Sequence, residues 1–317
     1  MADGYGIHDH LIKKAMEDGI DTIVTCDNGI SASSQITYAK ELGMTVVVTD
    51  HHEVPFTDTE EGRTYILPPA DAIINPKQAD CTYPNKNICG AVVAMKLVFA
   101  LYEKYRLPEE EKEDFLEPAA IATVGDIMDL QGENRILVKE GLARLPFTKN
   151  KGLKALIRAI GLEDQKITSY DIGFRLGPCI NASGRLDTAM RSLALLQSED
   201  EEEAAKLAGD LKALNDSRKA LTEKGTEKAY KLIESSNLKN DRVMVVFLPE
   251  CHESLAGIIA GRIREKYHKP TFVLTRGEKS LKGSGRSTEN YSMYEELVKC
   301  DSLLVPVSYT HLTLPTN

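Results

Sequence analysis

Twice within its first fifty residues the chain spells the same phrase: a helical end, a glycine, a short apolar run, then an aspartate. Ala15-Met16-Glu17-Asp18-Gly19 leads through Ile20-Asp21-Thr22-Ile23-Val24 to Asp27, and Ala39-Lys40-Glu41-Leu42-Gly43 leads through Met44-Thr45-Val46-Val47-Val48 to Asp50. Glycine suits the left-handed residue that closes a helix. Short β-branched runs bounded by polar residues read as buried strands. Two helix–strand units in series require parallel strands joined by crossover helices. The expected fold class is therefore α/β, a doubly wound and mostly parallel sheet. Asp27 and Asp50 then leave the same carboxyl edge, where open α/β sheets bind ligands.

The residues at the end of the second strand narrow the chemistry. Thr49-Asp50-His51-His52-Glu53 places a carboxylate and two imidazoles there. Such groups are costly to bury unless they are paired or hold a metal. A third element, Gly125-Asp126, closes the apolar helical run from Phe115 to Val124. A lone aspartate in any of these places reads as a cap or turn residue. Three such elements after apolar runs point instead to a shared site. Carboxylate oxygens with imidazole nitrogen suit Mn²⁺ or Mg²⁺. Two such ions about 3.5–4 Å apart clamp a phosphoryl group and activate a water.

The 317 residues suffice for more than one domain. The first spans 1–130, a helical connector with one long helix spans 131–238, and a smaller α/β domain spans 239–304. Residues 62–87 read as loop, with Pro68, Pro69, Pro76 and Pro84. Ser198-Glu199-Asp200-Glu201 reads as a capping box opening the long helix, which is polar on most faces and suits a bridge. In the third domain Ser254 reads as the cap of the helix from Leu255, and Gly257-x-x-x-Gly261 as a close helix–strand contact. The six cysteines form no Cys-x-x-Cys pair, which argues against a disulfide framework or structural zinc. No run has the length of a membrane span and no signal peptide is evident, so no membrane partner and a cytoplasmic location are expected. A net charge of −9 disfavours indiscriminate nucleic-acid binding. The stretch from Arg262 to Arg286 is nevertheless basic, with eight Lys or Arg against Glu265 and Glu278.

These residues resemble the DHH phosphoesterase superfamily: Asp50-His51-His52, with Asp27 before and Gly125-Asp126 after. Further blocks are similar to the RecJ exonuclease family within it. They are Asn75-Pro76-Lys77 with Cys89-Gly90-Ala91, Gly177-Pro178-Cys179-Ile180-Asn181-Ala182-Ser183-Gly184-Arg185, His252-Glu253-Ser254 with Gly257 to Arg262, and Gly283-Ser284-Gly285-Arg286-Ser287. The resemblance implies a DHH domain followed by a DHHA1-like domain. It implies Asp27, His51 and Asp126 as metal ligands, Asp50 as the acid that orients a ligating imidazole, and His52 beside the scissile phosphate. It implies Asn181 and Arg185 along the DNA path, and Ser284, Gly285, Arg286 and Ser287 in a pocket for a 5′-phosphate. The implied activity is metal-dependent 5′→3′ hydrolysis of single-stranded DNA in repair and recombination, with single-strand-binding protein and a helicase as partners. The oligomeric state is left open.

RecJ proteins carry an Asp-x-Asp motif on an earlier strand and a Gly-Gly-His block after the position of Leu304, and neither is found here. The expectation is a fragment lacking the first sheet strand, with one metal position incomplete and no turnover of its own. Residues 305–317, free of Lys, Arg, Asp and Glu, read as a non-native tail. The alternatives are a small DHH phosphodiesterase or pyrophosphatase, and a non-catalytic phosphate- or nucleic-acid-binding fragment.

Overall fold

The computed structural model describes residues 6–59, 62–277 and 280–299, so the tail at 305–317 lies outside the described residues. The chain divides into two compact units, one formed by residues 1–178 and 195–208, the other by 179–194 and 209–317.

The first unit opens with the repeated phrase. α1 (Asp9–Glu17), β1 (Thr22–Val24), α2 (Ser33–Glu41) and β2 (Thr45–Thr49) follow in order. Gly19 and Gly43 take φ of +78° and +79°, the left-handed closure the sequence implies. β1 and β2 are parallel, pairing Thr22 with Thr45 and Val24 with Val47. A hairpin, β3 (Phe56–Thr59) with β4 (Gly62–Tyr65), precedes β5 (Ala72–Ile74), which pairs in parallel with β2. The sheet order is β1-β2-β5. β5 and the whole of the hairpin's second strand occupy a stretch that reads as loop in the sequence. Three residues among four prolines leave too little periodicity to reveal β5, and it exists because β2 offers an edge.

Strand alternation sends successive side chains to opposite faces. Val46, Val48 and Ile73 pack with Ile12, Ile36 and Ala39 of α1 and α2, while Ile74 packs with Val92 and Val93 of α3 (Gly90–Tyr105). Helices thus cover both faces, as a doubly wound sheet requires. Each fully buried Val or Ile contributes about 1.5–3 kcal/mol. After α3 come α4 (Leu116–Gly125), α5 (Gly132–Arg144), α6 (Lys151–Ala159) and α7 (Ser169–Asp171). α7 runs through a π-helical turn, Ile172–Leu176, into α8 (Gly177–Leu186), followed by α9 (Met190–Gln197).

The long helix expected from sequence is α10 (Glu201–Glu234). Its cap differs: the Asp200 carboxylate, not Ser198, accepts the Glu203 amide at 2.7 Å. Ala204, Ala208, Leu211, Asn215, Thr222, Thr226, Ala229 and Ile233 form its buried stripe, at steps of three, four or seven. Thr222 and Thr226 tolerate burial because each hydroxyl donates to the carbonyl four residues back at 2.7 Å.

In the second unit β6 (Met244–Phe247) pairs in parallel with β7 (Thr271–Arg276), and β7 pairs antiparallel with β8 (Leu281–Arg286). α11 (Glu253–Tyr267) covers this sheet, burying Leu255, Ala256, Ile259, Ala260 and Ile263 against Met244, Val246 and Val273. The short α12 (Met293–Val298) follows. The side-chain cap of α11 is His252, whose Nδ1 accepts the Ser254 amide, so Ser254 is not the cap its position suggested. The Gly-x-x-x-Gly reading holds for Gly257 alone. A Cβ on Gly257 would fall 2.7 Å from Ser284 Oγ, whereas none of the described atoms lies within 4 Å of one on Gly261. Cys26, Cys81, Cys89, Cys179 and Cys251 are free thiols. No described helix is long and apolar enough to cross a membrane.

Glu117 in α4 is buried and accepts a hydrogen bond from Thr148 Oγ1 at 2.5 Å. Burial pushes its carboxyl above the usual glutamate value, and the Thr148 bond draws it partly back. A carboxyl raised in the fold adds stability that is complete below the unfolded-state value, about 4.3, and lost as pH rises through the folded one. Glu117→Gln keeps the shape without the charge. It should melt above the unchanged protein at pH 8, with the two melting temperatures converging near pH 4, as read by circular dichroism.

Candidate functional site

The carboxyl edge of the first sheet is held by its threonines. Thr49 Oγ1 donates to the Thr25 carbonyl at 2.6 Å, and the Asp27 amide donates to the Thr49 carbonyl at 3.0 Å. Asp27 is thereby fixed with φ +64°, a left-handed conformation that aspartate tolerates better than most residues. Its carboxylate rests against the first turn of α3. A Cβ on Gly90 would fall 2.7 Å from the Asp27 Cα and closer still to its side chain, so only glycine fits.

Asp50 is 1% exposed and serves as a buried acceptor hub. Its Oδ1 accepts the His51 amide at 2.7 Å, the His52 amide at 3.2 Å and His52 Nδ1 at 2.7 Å, while Oδ2 accepts the Ile30 amide at 3.0 Å. Burial alone would raise this carboxyl; the His52 ring and the amides of Ile30 and His52 outweigh it and hold it below the usual aspartate range. The same contact raises the His52 pKa, against a smaller opposing effect of burial. With Asp50 ionised, His52 Nδ1 is the donor, which fixes its tautomer. The backbone of His52 is clamped too: Asn75 Nδ2, at the end of β5, donates to its carbonyl at 2.9 Å.

His51 Nε2 lies 3.0 Å from Asp27 Oδ1 and 3.7 Å from Asp126 Oδ2. Asp27, His51 and His52 each offer a ligand atom, all within 4.8 Å of one another. Imidazole nitrogen with carboxylate oxygen is the donor set that Mn²⁺ accepts and Mg²⁺ tolerates. Asp126 reaches the group from the end of α4, where its amide caps the helix on the Ala122 carbonyl. The next residue, Ile127, takes φ +56°, a genuine outlier for a β-branched side chain. All five sequence-derived residues of this edge, Asp27, Asp50, His51, His52 and Asp126, are thus brought together. The sequence alone gives Gly90, Asn75 and Ile30 no evident role there. For Gly90 and Asn75 the signal lies in the Cys89-Gly90-Ala91 and Asn75-Pro76-Lys77 blocks.

The second unit gathers cations. Arg286 is buried enough that desolvation, then the charges of Arg264 and Arg185, depress its pKa, although a guanidinium stays charged. Arg218 is depressed by burial and by Arg185 and Arg262. Among the described residues, Arg185 and Arg286 pair with no carboxylate. Arg185 donates to the Ser254 carbonyl at 3.2 Å, and Arg286 to the Gly285 carbonyl at 2.8 Å. Asn181 is exposed on α8. Gly283-Ser284-Gly285-Arg286 does not form a loop after a strand, as its composition suggests, but is the body of β8. Glycine survives there because neighbours crowd it: a Cβ on Gly285 would fall 2.8 Å from the Phe272 ring. Ser287 Oγ accepts the Met293 amide at 3.1 Å. Such a cluster can bind a phosphate by forked, charge-assisted hydrogen bonds.

Residues 4–123 match the DHH family, N-terminal domain. The single-stranded-DNA-specific exonuclease RecJ of Escherichia coli K12 is 36% identical over 315 residues, which cover 95% of this chain and 53% of that one. The chain therefore spans about half the length of this relative. The crystal structure of exonuclease RecJ bound to manganese superposes with a TM-score of 0.79 at 33% identity, covering 96% of this chain and 72% of the other. RecJ from Thermus thermophilus in complex with Mn²⁺ gives the same TM-score and identity, over 95% and 42%.

The tight seat of Asp27 against α3 makes Gly90 a sensitive position. Gly90→Ala should weaken Mn²⁺ binding at least about tenfold, equivalent to about 1.4 kcal/mol, while circular dichroism still shows a folded chain. Loss of the free Mn²⁺ paramagnetic-resonance signal on titration measures this. Unchanged affinity would show that Asp27 does not depend on its seat.

Proposed function

This chain belongs to the RecJ family of DHH proteins, and from that premise we propose that it carries the metal centre and phosphate-binding surface of a single-strand-specific 5′→3′ DNA exonuclease that uses Mn²⁺ or Mg²⁺. The observation that carries this reading is the convergence of Asp27, His51 and Asp126, with His52 beside them, at one sheet edge. Bound divalent ions supply charge neutralisation of the phosphate and activation of water.

The chain's own residues do the rest. Asp27, His51 and Asp126 present the ligand atoms. Asp50 holds His52 by its Nδ1–H, and the raised His52 pKa favours a ring that donates a proton to the departing oxygen. In the second unit, Arg185, Arg286, Asn181 and the Ser284-Gly285 stretch, with Ser287, hold phosphates of the strand. A pocket for a terminal 5′-phosphate accounts for the polarity of attack. We assign residues 1–130 to the metal centre, 239–304 to phosphate binding and 131–238 to the connector. Recruitment by single-strand-binding protein and a helicase, in cytoplasmic DNA repair and recombination, completes the reading.

In a family-length protein carrying this sequence, Mn²⁺ should support release of nucleotides from 5′-phosphorylated single strands. His51→Ala should lower that rate by at least about a thousandfold, some 4 kcal/mol of transition-state stabilisation. Arg286→Ala should narrow the preference for 5′-phosphate over 5′-hydroxyl ends without abolishing cleavage. Equal activity in EDTA, or in the His51 variant, would end the proposal.

A further inference from the structure

Asp126 reaches the metal edge on a strained turn. The backbone of the next residue, Ile127, is left-handed where a helix usually ends on glycine. The Ile127 side chain is 71% exposed, so core packing does not offset the torsion. Two amides close the turn onto α4: Ile127 donates to the Val124 carbonyl and Met128 to the Thr123 carbonyl, each at 3.1 Å. Both bonds are local to the helix end. A strained turn persists only where its surroundings over-determine it.

Asn134, in the first turn of α5, supplies a restraint from outside the turn. Its side chain is 1% exposed, and Nδ2 donates both to the Asp129 carbonyl at 3.0 Å and to the Asn87 carbonyl at 2.6 Å. Asp129 stands three residues beyond Asp126, and Asn87 three residues before Gly90, against which Asp27 rests. One amide group therefore joins the segment that presents one carboxylate to the segment that seats the other. Ile88 and Cys89, between Asn87 and Gly90, are buried, so a shift at Asn87 is passed on through packed side chains. The adjacent Glu133 secures the same corner: it accepts the Tyr83 hydroxyl at 2.6 Å and Lys96 Nζ, on α3, at 2.5 Å. The Asn134 amide is not free of cost. Its Oδ1 is buried with no hydrogen-bond partner among the described residues, which is destabilising. An apolar side chain of similar size would avoid that cost and would lose only the two donated bonds.

We propose that Asn134 is a positioning residue of the metal centre: by tying the Asp129 carbonyl to the Asn87 carbonyl, it sets Asp126 and the seat of Asp27 in register on either side of His51. The inference rests on the metal-centre reading and adds to it a residue outside the ligand set. His51 Nε2 lies 3.0 Å from one of these carboxylates and 3.7 Å from the other. Shared coordination tolerates little drift in such separations. Loss of the tie leaves α3 and α4 folded and frees the two loops to move independently.

The test compares two variants of the full chain. Asn134→Leu removes both donated bonds and nearly keeps the volume. Val138→Ala, at a 4% exposed position of the same helix, opens a cavity and touches neither carbonyl. Both should melt below the unsubstituted chain by circular dichroism. Only Asn134→Leu should weaken Mn²⁺ binding, by at least about fivefold, as read from the free Mn²⁺ paramagnetic-resonance signal. In the metal-free chain, amide hydrogen exchange in Asn134→Leu should rise together over residues 87–92 and 126–131 while β2 keeps its protection. The proposal is overturned if Asn134→Leu binds Mn²⁺ as tightly as the unsubstituted chain, if the affinity of Val138→Ala falls in step with its melting temperature, or if the two segments keep their protection in Asn134→Leu. Failure of the unsubstituted chain to bind Mn²⁺ would instead remove the metal-centre reading, and this inference with it.

Discussion

A single carboxylate organises the metal edge. Asp50 lies at the end of the central strand, out of water, and accepts four hydrogen bonds: three amides and one imidazole. An isolated buried carboxylate is untenable, but each charge-assisted bond returns about 1.5–3 kcal/mol. The arrangement therefore stands or falls as a set. It fixes the turn at Ile30, the path of the chain through His51 and His52, and one ring tautomer. Asp27 and His51 can face each other only because this set holds both loops. Asp50 thereby shapes the edge at which Asp27, His51 and His52 present their ligand atoms.

The second unit shows a different solution to placing charge. There the sheet is edged by β8, nearly bare of bulk at Gly283 and Gly285, and α11 approaches closely enough that Gly257 meets Ser284 and Arg286. This packing leaves Arg286 half-buried without an acid partner among the described residues. Like-charged neighbours Arg185 and Arg264 make the neighbourhood more positive still. Folding carries the electrostatic cost of that crowding. The metal edge, by contrast, is rich in anions. The two units thus carry opposite local charge: guanidinium groups gather in the second and carboxylates at the sheet edge of the first.

Much of this was legible in the sequence, for physical reasons that differ by element. The repeated helix–glycine–strand phrase forecast the parallel pair β1 and β2, because glycine stops and β-branched runs are local signals. The Asp50-His51-His52 cluster announced itself because charge at a strand end is expensive. β5 stayed hidden since its three residues lie among prolines and are recruited by the edge of β2. Gly283 to Arg286 looked like a loop because its glycines suit one, and only pairing with β7 makes it strand. The caps at Asp200 and His252 fell two residues from Ser198 and Ser254, since several nearby side chains could each serve and packing chose among them. The seat of Asp27 against Gly90 joins residues far apart in sequence, and no local pattern encodes such an approach.

The left-handed backbone of Asp27 has a consequence for how this position can drift. Glycine or asparagine would accept the torsion easily but surrender the negative charge. Glutamate would keep the charge, yet its longer chain has no room against the first turn of α3, and it lacks the short local hydrogen bonding that lets aspartate visit this region. Geometry and charge each admit a small set of amino acids, and the two sets overlap in one. The site is therefore held to aspartate only while both constraints act: relaxing the charge would admit asparagine or glycine, and relaxing the geometry would admit glutamate.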